Sequence, residues 1–76
     1  MASENVVEAE GRITMNYPGS EFQVELTTEG FEGHKIRARL SGKMRMNFIR
    51  IVPGDKVKVE FSPYNLEEGR ITFRYR

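Results

Sequence analysis

Ser41-Gly42-Lys43-Met44-Arg45-Met46-Asn47-Phe48-Ile49-Arg50-Ile51-Val52-Pro53-Gly54-Asp55 is the stretch whose reading decides the fold. Ser41 can cap a helix and Gly42 permits a tight exit from a preceding strand. Lys43 to Phe48 then fits one or two helical turns, with Met44 and Phe48 at i and i+4 on the buried side. Pro53-Gly54-Asp55 ends the stretch with turn chemistry, because Pro presets one dihedral and Gly tolerates positive φ. The segment reads as a connector between two strands that carries three cations, Lys43, Arg45 and Arg50. Met and Phe at helical spacing are more often core plugs than ligand contacts. The apolar residues are therefore expected to fix the cations in place, with Phe48 kept as a candidate contact.

The flanking chain alternates with period two, the signature of strands with one wet face. Before the connector, Val7, Ala9, Gly11, Ile13 and Met15 are apolar or small, and Gly11 predicts a bulge or sharp bend in this first strand. Tyr17-Pro18-Gly19-Ser20 predicts a turn. Strand two, about Glu21 to Thr27, turns Phe22, Val24 and Leu26 inward. A loop over Thr28 to Lys35 follows, with His34 expected as an exposed loop residue. Strand three, Lys35 to Leu40, turns Ile36, Ala38 and Leu40 inward and sets Lys35, Arg37 and Arg39 on one outer face. After the connector, strand four, Lys56 to Phe61, turns Val57, Val59 and Phe61 inward. Ser62 to Gly69 reads as a turn-rich connector. Strand five, Arg70 to Tyr75, turns Ile71, Phe73 and Tyr75 inward and Arg70, Thr72 and Arg74 outward.

Five short alternating strands with a short helix between the third and fourth predict an all-β architecture, a five-stranded OB-fold barrel with Greek-key connections. An SH3-like barrel is the structural competitor, and the helix at the third connection favours the OB arrangement. The 76 residues suffice for one core, so a single domain over residues 6–76 is expected behind a flexible tail at residues 1–5.

Net charge is only +1, but it is unevenly distributed. Met1 to His34 holds seven acids and one cation, whereas Lys35 to Arg76 holds eleven cations and four acids. Two readings of the basic face on strand three stand open. An anionic partner relieves the crowding of like charges, or Glu21 and Glu25 of strand two do so as cross-strand pairs. Cysteine is absent, and the lone His34 has no partner His or Cys nearby. No Ser/His/acid set, phosphate-cradling glycine loop or metal-ligand spacing is present, so neither an enzyme nor a cofactor or metal is expected. No run approaches the roughly 20 apolar residues of a membrane helix.

Ser41-Gly42-Lys43-Met44-Arg45, then Ile49-Arg50-Ile51, Pro53-Gly54-Asp55-Lys56-Val57, Ser62-Pro63-Tyr64 and Gly69-Arg70-Ile71 carry a resemblance in this order. From about Glu8 onward the chain closely resembles bacterial and plastid translation initiation factor 1. The resemblance implies a monomeric OB-fold protein that binds the small ribosomal subunit at the aminoacyl site. There it contacts ribosomal RNA and a neighbouring ribosomal protein. It also implies that the protein works with initiation factors 2 and 3 and keeps elongator tRNA out while the initiator is selected. Such a protein acts in the bacterial cytoplasm, or in the plastid stroma if organelle-encoded. Position by position it puts Lys43, Arg45, Arg50, Arg70 and Arg74 on the RNA side, with Phe48 where the family usually has an aromatic. Arg37 and Arg39 are candidates that flank them. The chain departs from the family pattern at Met46, a position often basic, and in the longer Thr28 to Lys35 loop.

A general single-stranded RNA chaperone of cold-shock type is the alternative. Such modules interleave aromatics with cations for base stacking on their early strands, where this chain carries acids.

Overall fold

The computed structural model describes residues 6–47 and 49–75. The expected tail at residues 1–5, Phe48 and Arg76 lie outside the described residues. Period-two alternation produces β1 (Val7–Tyr17), β2 (Glu21–Leu26), β3 (Lys35–Leu40), β4 (Lys56–Ser62) and β5 (Asn65–Arg74), with α1 (Gly42–Met46) between β3 and β4. The strands close in the order β1-β2-β3-β5-β4, and β4 returns to pair with β1. All pairings are antiparallel except β3 with β5. This is the five-stranded OB barrel expected from the sequence.

The core holds the inward residues of the alternation: Ala9, Ile13, Phe22, Val24, Leu26, Ile36, Ala38, Val57, Val59, Phe61 and Ile71, with Met44 and Ile51 added from the connector. Closure uses both edges of β1. Gly11 lies opposite Leu26 on one side and Val57 on the other. A Cβ at Gly11 would stand 2.6 Å from Val24 Cγ1 and 2.7 Å from the Glu25 carbonyl oxygen. Gly11 is therefore a site of close strand approach. The bulge expected there falls instead between Ile13 and Met15, where Thr14 is the extra residue. That extra residue reverses the alternation, so Met15 is exposed although its parity predicts an inward side chain.

Two other elements depart from expectation. β5 begins at Asn65, so much of the stretch read as a connector is strand, joined to β4 by a tight Pro63-Tyr64 turn. Leu66, Glu67 and Glu68 hid this, because they are polar or exposed and face no continuous core. A second bulge on the β4–β5 pair places Lys58 opposite Phe73 but Val59 opposite Ile71, leaving Thr72 as the extra residue. Phe73 is thereby turned outward, at 52% exposure, instead of into the core.

The loop after β2 is anchored by side chains. Phe31 meets Phe61 edge to face with ring centroids 5.5 Å apart. Thr28 Oγ1 accepts from the Glu10 amide at 2.7 Å. His34 is half-buried and its Nε2 bonds the Leu66 carbonyl, which corrects its reading as an exposed loop histidine.

Gly11→Ala is expected to destabilise the barrel by about 1–3 kcal/mol, the usual cost of overpacking. Thermal unfolding should show a midpoint lower by at least about 4 °C. An unchanged midpoint would mean that β1 tolerates a side chain at its point of closest approach.

Candidate nucleic-acid interface

Ser41 is the N-cap of α1, and its Oγ accepts from the Met44 amide at 3.2 Å. The helix begins at Gly42, just ahead of the start that the sequence predicts, and ends at Met46, short of the expected Phe48. Asn47 closes it by donating to the Lys43 carbonyl at 3.1 Å, and Ile49 donates to the Met44 carbonyl at 3.2 Å. Met44 and Ile51 are buried and Ile49 is half-buried, so these three anchor the connector to the core. Met46 and Val52 do not share that role, being 78% and 44% exposed. Beyond Ile51, Asp55 Oδ2 accepts from the Val52 amide at 3.0 Å, and Gly54, at φ 98°, donates to the Ile13 carbonyl at 2.8 Å. The anchors leave Lys43, Arg45 and Arg50 exposed, and among the described residues no carboxylate pairs with any of them.

The β5 bulge rearranges the residues beside this connector. Arg70 lies opposite Glu60 and faces outward as expected. Arg74 lies opposite the buried Val57, so it leaves the strand on the inward side at the mouth of the barrel and not on the face of Arg70. Its Nη1 donates to the Arg50 carbonyl. Phe73 and Tyr75 share the outer face and meet edge to face at 5.1 Å. Tyr75 is half-buried, not inward as its parity predicts, and its hydroxyl donates to Glu10 at 2.8 Å. That bond to a carboxylate pushes the phenol's pKa up, because ionisation would set two negative charges together. A cleft of about 640 Å³ opens between α1 and β5, with Lys43, Asn47, Ile49, Phe73, Arg74 and Tyr75 among its walls. Cations and an aromatic pair around one cleft suit an unpaired base with its phosphate. Sequence reasoning missed Phe73 and Tyr75 because one extra strand residue reverses the alternation.

On β3, Arg37 and Arg39 share a face, and Glu21 of β2 takes both, at 2.6 Å and 3.0 Å. Arg37 also lies 4.2 Å over the Tyr17 ring. The cross-strand reading thus holds for Glu21. Glu25 stands opposite Lys35 in register, yet no ion pair joins them. The hydrogen bond from Arg37, with the field of both guanidinium groups, holds the Glu21 carboxyl below its ordinary pKa. Both arginines remain largely exposed, so one carboxylate leaves the pair with a net positive charge facing solvent.

Other cations of the C-terminal half are also matched: Lys56 approaches Glu10 at 3.8 Å and Lys58 approaches Glu8 at 3.9 Å. Glu29 and Glu32 of the β2–β3 loop, with Glu67 near the start of β5, lie toward the end of the barrel opposite α1, whereas Glu68 stands opposite Arg37 and lines one cavity with Glu21 and Arg39. Acids of the N-terminal half and cations of the C-terminal half thus meet across the strands, at Glu21 with Arg37 and Arg39, Glu10 with Lys56 and Glu8 with Lys58. Among the described residues no group of three His, Asp or Glu side chains is placed to hold a metal.

A depressed carboxyl pKa contributes stability that is present above the unfolded value and lost as pH falls through the folded one. Glu21→Gln should therefore flatten the fall in thermal midpoint below about pH 4.5 relative to the wild type. Parallel curves for the two proteins would show that the arginines do not hold Glu21 ionised.

Residues 2–76 match the family described as translation initiation factor 1A / IF-1. The solution structure of translation initiation factor 1 from the Wolbachia endosymbiont strain TRS of Brugia malayi superposes with a TM-score of 0.73 at 42% identity, over 97% of this chain and 83% of that one. YjeQ from Thermotoga maritima superposes with a TM-score of 0.69 at 24% identity, over 92% of this chain but 23% of that one, and shares the fold alone. The likeness in sequence and barrel extends over nearly the whole chain, and with it the chain belongs to the translation initiation factor 1A / IF-1 family, RNA-binding OB-fold proteins of translation initiation.

Proposed function

We propose that this chain binds the small ribosomal subunit at the aminoacyl site through ribosomal RNA, with the α1 end of the barrel inserted. The observation that carries the reading is the set of outward cations Lys43, Arg45 and Arg50, unpaired among the described residues and fixed by the buried Met44 and Ile51. Lys and Arg neutralise phosphates and release counterions, and Arg can also fork onto a phosphate or stack on a base. The target is irregular RNA, since the A-form major groove is too narrow for side chains to read. Arg70 and the Arg37–Arg39 pair flank the contact. Phe48 keeps its family-implied place in the interface, though it lies outside the described residues. Phe73 and Tyr75 supply the stacking surface. A monomer seated there blocks premature elongator tRNA and assists initiation factors 2 and 3 in selecting the initiator, in the bacterial cytoplasm or a plastid stroma.

The exposed Phe73 and its neighbour Tyr75 also favour a second reading, a general single-stranded RNA chaperone. The acids Glu8 and Glu10 beside them weigh against it, because they repel a continuous phosphate track.

Lys43→Ala combined with Arg45→Ala should abolish co-sedimentation with isolated small subunits while leaving the thermal midpoint nearly unchanged. Equal binding by the double variant would remove these residues from the interface. For the wild type, with about five cations engaged, affinity should fall with salt at a log-log slope of about 3 to 5. Strong competition by unstructured RNA would favour the chaperone reading instead.

A further inference from the structure

We propose that Arg74 is a positioning residue, which serves the interface by holding the Arg50 segment in place and not by contacting phosphate itself. The inference rests on the RNA-binding reading of Arg50 and deepens it. Three observations carry it. First, the β5 bulge puts Arg74 opposite Val57, on the inward side of the strand, so its stem runs over the barrel mouth and away from the outer face that holds Arg70. Second, its Nη1 donates to the backbone carbonyl of Arg50, 24 residues earlier in the chain. Third, the segment it reaches has little else to hold it. Ile49 is tied to Met44 and Val52 is tied to Asp55, but between them no other backbone hydrogen bond is made among the described residues. The buried Ile51 side chain fixes the depth of the segment, and Arg74 fixes the carbonyl next to it. Together they determine where the exposed Arg50 side chain begins.

A guanidinium suits this task. It is charged at every accessible pH, and its planar fork keeps the donor aimed while the remaining N–H groups stay hydrated.

The two roles of Arg74 separate in a double-mutant cycle on the full chain, with small-subunit affinity measured over a salt series. Arg50→Ala should lower the log-log salt slope by about 0.7 to 0.9, the loss of one phosphate contact. Arg74→Gln alone should weaken binding by a similar factor. In the Arg50→Ala background it should change affinity by less than about twofold and leave the slope where it was, since no side chain remains to be misplaced. Amide exchange at Ile49 and Val52 should rise in Arg74→Gln with the rest of the barrel unaffected. Multiplying losses with a further slope decrease of about 0.7 to 0.9 would overturn the proposal and make Arg74 a phosphate contact. If Arg50→Ala leaves binding unchanged, the RNA reading of Arg50 fails separately. Exchange at Ile49 and Val52 then decides the positioning role, and unchanged rates there overturn it.

Discussion

Every strand of the closed barrel pairs along both edges, and at Gly11 β1 runs so close to β2 that a Cβ would stand 2.6 Å from Val24 Cγ1. The same residue faces Leu26 and Val57, and the barrel has no unpaired edge to relax through. Closure transmits order to the connector. Thr14 bulges just beyond Gly11, Ile13 then exchanges hydrogen bonds with Gly54 and Asp55, and the turn that ends the connector is fixed against β1. On the other side, the Ser41 amide bonds to Ile71 and Met44 is buried, which fixes the connector's start against β5. A connector held at both ends and pinned by Ile51 between them presents its cations in a defined array. Lys43, Arg45 and Arg50 would otherwise lose conformational freedom on binding, at a cost in affinity.

Charge follows the same axis. Among the described residues the cations of the connector are free, whereas those of the neighbouring strands β3 and β4 are matched by Glu8, Glu10 and Glu21. The opposite end gathers acids. The longest dimension of the molecule is 29 Å, between three and four Debye lengths of about 8 Å at physiological ionic strength, so the acidic end does not neutralise the cationic end in solution. Acids opposite the cations orient an approaching molecule on a phosphate surface.

Much of this was legible in the sequence, and each failure has a physical cause. Strict alternation identified β2, β3 and β4 and nearly all of their core residues, because each has one wet face and no bulge over its length. β1 contains one extra residue, Thr14, and the C-terminal half of β5 contains one, Thr72, and a single insertion reverses every side chain beyond it. Met15, Phe73 and Arg74 were misplaced for that one reason. Composition gives no sign of such an insertion. The start of β5 was hidden because Leu66 to Glu68 arch away from β4, so no inward residue marks the strand. In the interface, the cations of the connector were visible as charge on an apolar segment, and Ser41 as its cap. The matching of Arg37 and Arg39 by one carboxylate required the β2–β3 register, which places Glu21 opposite Arg39. The arginine tie between β5 and the connector spans residues 50 and 74, beyond the reach of any local pattern.

The central claim is one of orientation, that the α1 end meets ribosomal RNA and the Glu29–Glu67 end does not. The chain has no cysteine, so single cysteines can be introduced at Asn47 and at Glu29 and each loaded with a tethered iron chelate. On small subunits, hydroxyl radicals generated at position 47 should cut ribosomal RNA strongly at a few neighbouring sites, and those generated at position 29 should cut weakly or not at all. Strong cutting from position 29 with little from position 47 would contradict the account.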